Sequence, residues 1–133
     1  MSEIKTDKLT GVGAADNITV TDGATTFKMQ SGLNKMWISY EGIANSIFDS
    51  LNVGSVTDVS TGQYRYNFSN NFNVAESYSS AMSVVTQSSP YMGSYTLHDN
   101  ALTSSIEVRP ARNTSGSQLD VNNTTMNCCG DLA

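Results

Sequence analysis

The hexapeptide Gln63-Tyr64-Arg65-Tyr66-Asn67-Phe68 decides the fold class. Apolar rings stand at Tyr64, Tyr66 and Phe68, and polar side chains at Gln63, Arg65 and Asn67. Successive side chains of a strand point to opposite faces, so this period of two predicts a strand with one buried face. Met36-Trp37-Ile38-Ser39-Tyr40 repeats the pattern: Met36, Ile38 and Tyr40 share one face, and Trp37 falls on the other beside Lys35 and Ser39. Ser105-Ile106-Glu107-Val108-Arg109 alternates again.

Outward from these, shorter strands are expected at 17–21, 26–30, 78–85, 91–97 and 124–129. Turn-forming clusters separate them: Thr21-Asp22-Gly23, Ser31-Gly32, Ser60-Thr61-Gly62, Ser69-Asn70-Asn71 and Asn113-Thr114-Ser115-Gly116. One stretch competes, because Ile43, Ile47 and Leu51 recur every four residues as on a helix. Its Asn45, Ser46, Asp49, Ser50 and Asn52 are poor helix formers, so loop or strand is expected there. Many short strands between turns predict an all-β chain, a sandwich or a barrel.

The chain has 133 residues, enough for one domain with a modest core. Only 14% of residues are charged, against about 25% in an average protein. Ser, Thr, Asn and Gly make up about two-fifths of the chain, so neutral polar groups carry its solubility. The net charge is −5 and the seven basic residues are scattered from Lys5 to Arg112. No basic cluster offers a nucleic-acid footprint. No apolar run reaches the roughly 20 residues of a membrane span. The polar start, Met1 to Thr10, lacks the apolar core of a secretory signal, so synthesis in a cytoplasm is expected.

Catalytic and metal-binding chemistry is sparse. His98 is the only histidine, and its neighbour Asp99 would point to the opposite face of a strand. Cys128 and Cys129 are adjacent and lack zinc-ligand spacing. They are expected as small side chains on one strand. The Gly11-Val12-Gly13 pair lacks the third glycine of a phosphate-binding loop. Carboxylates at Asp49, Asp58, Glu76, Asp99, Glu107 and Asp120 suggest no acid–base pair by spacing. Asn17-Ile18-Thr19, Asn67-Phe68-Ser69, Asn113-Thr114-Ser115 and Asn122-Asn123-Thr124 fit glycosylation acceptors but read as turn and strand residues. No enzyme activity and no cofactor are therefore expected. Tyr40, Tyr64, Tyr66, Phe68, Phe72 and Tyr78 are expected in a core or a subunit interface.

A boundary falls near Ser31-Gly32. Residues 1–32 have short Thr/Val/Ile segments broken by Gly11, Gly13 and Gly23, with little to build an interior. Such a segment gains stability by pairing with other chains. Its apolar residues Ile4, Leu9, Ile18, Val20, Phe27 and Met29, together with Trp37, are the candidate subunit contacts.

Three blocks carry a family resemblance. They are Lys35-Met36-Trp37-Ile38-Ser39-Tyr40-Glu41-Gly42, Asp49 to Asp58 (DSLNVGSVTD), and Gly62-Gln63-Tyr64-Arg65-Tyr66-Asn67-Phe68. In this order and spacing they resemble a module of marine-bacteriophage tail-fibre and virion appendage proteins. The starting Glu3 to Gly11 and the terminal Gly130-Asp131-Leu132-Ala133 are similar to the ends of such proteins. The chain departs from the pattern at Gly54, where Ser is usual, and at Arg65-Tyr66, where Thr-Val is common; residues 76–127 match little. The resemblance implies a homotrimer on the particle exterior. Residues 1–32 would form an extended β segment for attachment to other virion proteins and for trimerisation. Residues 33–133 would form an antiparallel, jelly-roll-like β-sandwich head. It further implies a tail-fibre or receptor-binding role toward a host surface glycan or protein, with capsid decoration or a head fibre as the alternative, and no nucleic-acid or membrane partner.

Overall fold

A computed structural model describes residues 19–22, 25–28, 33–75, 77–85, 92–93, 100–112 and 118–133. Every regular element among them is a strand. The chain divides into two compact units, Met1–Leu33 and Asn34–Ala133. Within the first, β1 (Thr19–Asp22) and β2 (Thr25–Lys28) pair antiparallel, with Val20 opposite Phe27.

The second unit holds two antiparallel sheets. In one, β3 (Asn34–Glu41), β4 (Ser46–Leu51), β7 (Ser79–Val85) and β11 (Asn123–Cys129) lie in the order β4-β3-β11-β7. In the other, β5 (Val53–Ser60), β6 (Gln63–Phe68) and β9 (Ser105–Val108) lie in the order β5-β6-β9. A short ladder joins β8 (Met92–Gly93) to β10 (Ala111–Arg112). The chain passes from the first sheet to the second at Asn52, whose φ of 59° is a left-handed value that asparagine tolerates well. Asn52 and Asn70 clamp this crossing: the Asn70 amide donates to Asn52 Oδ1 at 2.7 Å, and Asn52 Nδ2 donates to the Asn70 carbonyl at 3.0 Å.

The alternating strands behave as their patterns require. Along β3 and β6 the inward positions Met36, Ile38, Tyr40, Tyr64, Tyr66 and Phe68 are buried and the residues between them are half-buried. The inward residues of both sheets meet in one cluster: Met36, Ile38 and Tyr40 of β3, Tyr64, Tyr66 and Phe68 of β6, Ile106 and Val108 of β9, and Met126 and Cys128 of β11. Phe72, Tyr78 and Ala101 close it. Rings meet edge to face, Tyr40 with Tyr64 at 5.0 Å and Phe68 with Phe72 at 5.0 Å, while Phe72 and Tyr78 stack at 4.3 Å. The stretch Ile43 to Leu51, expected as loop or strand, is a turn followed by β4.

Burying tyrosines requires partners for their hydroxyls, because an unpaired buried donor costs about 1–3 kcal/mol. Each one finds a partner. Tyr66 donates to Thr124 Oγ1 at 2.7 Å, and Thr124 in turn donates to the Tyr40 carbonyl at 3.4 Å. Tyr64 donates to Asp120 Oδ1 at 2.9 Å, Tyr40 to Asn45 Oδ1 at 2.5 Å, and Tyr78 to the Leu102 carbonyl at 3.2 Å. Burial raises the Tyr40 hydroxyl to about 12, with the charges of Asp58 and Asp120 adding to it. Burial likewise raises Tyr64, helped by its bond to Asp120, and Tyr66. All three therefore act as neutral donors at physiological pH.

The β5–β6 turn is fixed at Gly62, whose φ is 63° and whose amide donates to Asp120 Oδ1 at 2.8 Å. A Cβ there would fall inside van der Waals distance of the Leu119 backbone. Replacing Gly62 with Ala is expected to lower folding stability by about 2 kcal/mol or more, from left-handed strain plus that collision. Urea unfolding checks this; an unchanged midpoint would contradict the packing described.

Candidate functional site

Outside the interior, the two sheets present different outer faces. On the β5-β6-β9 sheet, cross-strand partners place Ser55 beside Asn67, Thr57 beside Arg65, and Arg65 beside Glu107. All are polar. Asn67 Nδ2 donates to Ser55 Oγ at 3.0 Å and to Thr57 Oγ1 at 3.1 Å. Glu107, on the edge strand β9, is only 2% exposed. Its position follows from β9, where Ile106 and Val108 enter the core and force Glu107 to the other side.

Four donors satisfy Glu107. Arg65 reaches Oε1 through Nε at 2.9 Å and also through Nη2. Gln63 Nε2 reaches Oε2 at 3.0 Å and Asn100 Nδ2 reaches it at 2.8 Å. The amide of Asn100 holds the carboxyl below its ordinary value of 4.5; burial opposes this, and Arg65 and Gln63 lower it further. With both oxygens occupied and the group held ionised, Glu107 serves as an anchor tying Asn100 to β6. The Arg65 side chain is 41% exposed, so the pair is screened and weaker than a fully buried one.

The β4-β3-β11-β7 sheet shows outward a row of Leu51, Trp37, Asn127 and Ala81, and next to it a row of Asp49, Ser39, Thr125 and Ser83. The edge strand β4 adds large exposed apolar groups: Phe48 is 60% exposed, Ile47 39% and Ile43, in the preceding turn, 63%. A register shift where β4 meets Ser39 and Tyr40 leaves Phe48 without a cross-strand partner. The long edge strand β5 contrasts with this. It carries Gly54, Ser55, Thr57, Asp58 and Ser60 and two register shifts, devices that discourage edge-to-edge pairing.

Of the candidate contacts, Trp37 is placed on the outer sheet face beside Leu51. Val20 and Phe27 pair across the β1–β2 hairpin. Ile4, Leu9, Ile18 and Met29 lie outside the described residues, as do His98, Asp99 and Glu76. Asp49 and Asp58 are exposed and apart from Glu107 in the strand order. Among the described residues, no group of three His, Cys, Asp or Glu side chains is placed to hold a metal, and no helix is long and apolar enough to cross a membrane. Cys128 is buried and Cys129 half-buried, both as free thiols on β11. Burial pushes the Cys128 thiol up to about 12, with Cys129 adding to the shift, so it stays protonated and unreactive.

No family model, no curated protein and no solved structure matches the chain.

Glu107→Gln is expected to destabilise the fold by about 1–3 kcal/mol, since an amide cannot accept four donors. The pH dependence follows from the lowered carboxyl. Its contribution is present above about pH 4.5, the ordinary value, and is lost as pH falls through the folded-state value below it. Chemical unfolding between pH 7 and pH 3 should therefore show a steeper acid loss in the native chain than in the variant. Equal slopes would contradict this role for Glu107.

Proposed function

We propose that the chain is a structural, non-enzymatic module of a bacteriophage particle, a homotrimeric tail-fibre or receptor-binding protein on the virion exterior. The single observation that carries the self-association is the β4 edge. A strand edge with unpaired backbone groups and side chains as apolar as Ile47 and Phe48 is a liability in a lone soluble protein. It becomes a contact surface when copies meet. The β5 edge differs in degree: it has two register shifts to the one of β4, and Val59 is its one large exposed apolar side chain, against Ile47, Phe48 and Leu51 on β4.

In this reading the two antiparallel sheets form a jelly-roll-like β-sandwich head, and residues 1–32 attach it to other virion proteins and help join three chains. The tail-fibre resemblance of the three sequence blocks supports the virion role. The wholly polar outer face around Arg65 and Asn67 suits hydrogen bonding to a host surface glycan or protein. Each such contact is weak, and three copies multiply avidity.

Sedimentation equilibrium on the full chain tests the assembly. The expected mass is three times 14.3 kDa. Phe48→Asp is expected to shift the population to monomer while the β-sheet circular dichroism persists. A native chain that stays monomeric at micromolar concentration would overturn the proposal.

A further inference from the structure

The outer face of β3 reads Lys35, Trp37, Ser39 and Glu41, each half-buried and each pointing away from the core. In order these are a cation, a large ring, a small hydroxyl and an anion. The order is self-complementary: reversing the strand about Ile38 exchanges Lys35 with Glu41 and Trp37 with Ser39. We propose that this face packs against the same face of a second copy about a two-fold axis.

In the pair, Lys35 of each copy meets Glu41 of the other, and each Trp37 ring settles over the other copy's Ser39. Such mutual contacts are the mark of an isologous interface. The two ion pairs stand about 20 Å apart, six residues of strand, and so bracket the contact at both ends. The neighbouring positions on β11 and β7 obey the same exchange. On β11, Asn127 shares the Trp37 row and Thr125 the Ser39 row, so an amide meets a hydroxyl across the axis. On β7, Ala81 meets Ser83. These small side chains leave a flat surface that a second sheet can approach closely. On β4 the exchange sets Leu51 of each copy against Asp49 of the other, a mismatch that lies on the exposed edge strand, where water still reaches the carboxylate.

The Lys35 and Glu41 exchange fits a second copy of this chain, and it must offset a net charge that opposes the encounter. The chain carries −5, so two copies repel unless their contact supplies attraction. Among the described residues Lys35 is the one cation on this sheet face, and neither Lys35 nor Glu41 makes an ion pair there. Like charges brought together across an interface cost several kcal/mol, so the register that matches Lys35 with Glu41 is selected and slipped registers are rejected. The pairing goes beyond the three-fold reading and does not require it, since a two-fold face doubles whatever assembly the chain forms.

Sedimentation velocity of the full chain over a concentration series tests this by charge exchange. The native chain is expected to show a species of doubled mass that grows with concentration and fades at high salt. Lys35→Glu and Glu41→Lys, taken singly, should each weaken doubling roughly tenfold or more. Mixing the two single variants, or combining both changes in one chain, should restore it. Ser39→Gln fills the notch that receives Trp37 and should abolish doubling with the charges intact. A native chain without the doubled species, single variants that double like it, or a mixture that fails to recover would each overturn the pairing. A doubled monomer in place of a doubled trimer would overturn the three-fold reading and leave the two-fold face standing.

Discussion

The structure of residues 34–133 depends on tyrosines that must be buried with their hydroxyls satisfied. Tyr40 comes from one sheet and Tyr64 and Tyr66 from the other, so the sheets cannot separate without exposing all three rings. The Tyr66 and Tyr64 hydroxyls are met by groups distant in sequence, Thr124 and Asp120, and the Tyr40 hydroxyl by the nearby Asn45. Two of these partners lie just before or within β11. The last long strand of the chain therefore completes the network begun by the first strand of the second unit. It lies centrally, between β3 and β7, so the four-stranded sheet cannot close until the end of the chain is in place.

This network also sets where surface chemistry appears. Once Tyr64, Tyr66 and Phe68 point inward, Gln63, Arg65 and Asn67 must point outward. The same logic turns Met36, Ile38 and Tyr40 inward and presents Lys35, Trp37, Ser39 and Glu41 as a surface. The polar face and the self-complementary face are thus consequences of how the core was built. Adhesion by one and association by the other would require no site distinct from the fold.

Much of this was legible in residue order. The strands around Tyr64 and Ile38, the outward Trp37, the burial of the six aromatic side chains and the turn at Gly62 follow from period-two patterning and turn chemistry. The sequence also argued correctly against a helix at Ile43 to Leu51, because Asn45 and Asn52 favour left-handed and turn conformations, and both adopt positive φ. Other features were hidden. β5 alternates poorly, since Val53, Val56 and Val59 are spaced by three, and two bulges re-aim its side chains. Glu107 looked like an ordinary outward strand residue. Its burial depends on Gln63 and Arg65, more than 40 positions away, and on Asn100. The Asp120 bond to Tyr64 is equally non-local. Single-residue patterns carry no information about such pairings.

We propose that this chain works as a repeated structural part of a virus particle. Imaging of intact particles from the genome that encodes it, with the chain labelled, tests this role. Density for the head is expected in sets of three on the particle exterior, few at a tail appendage or many across a capsid. Particles complete in every part but free of the chain, or a single unrepeated copy enclosed within them, would contradict it.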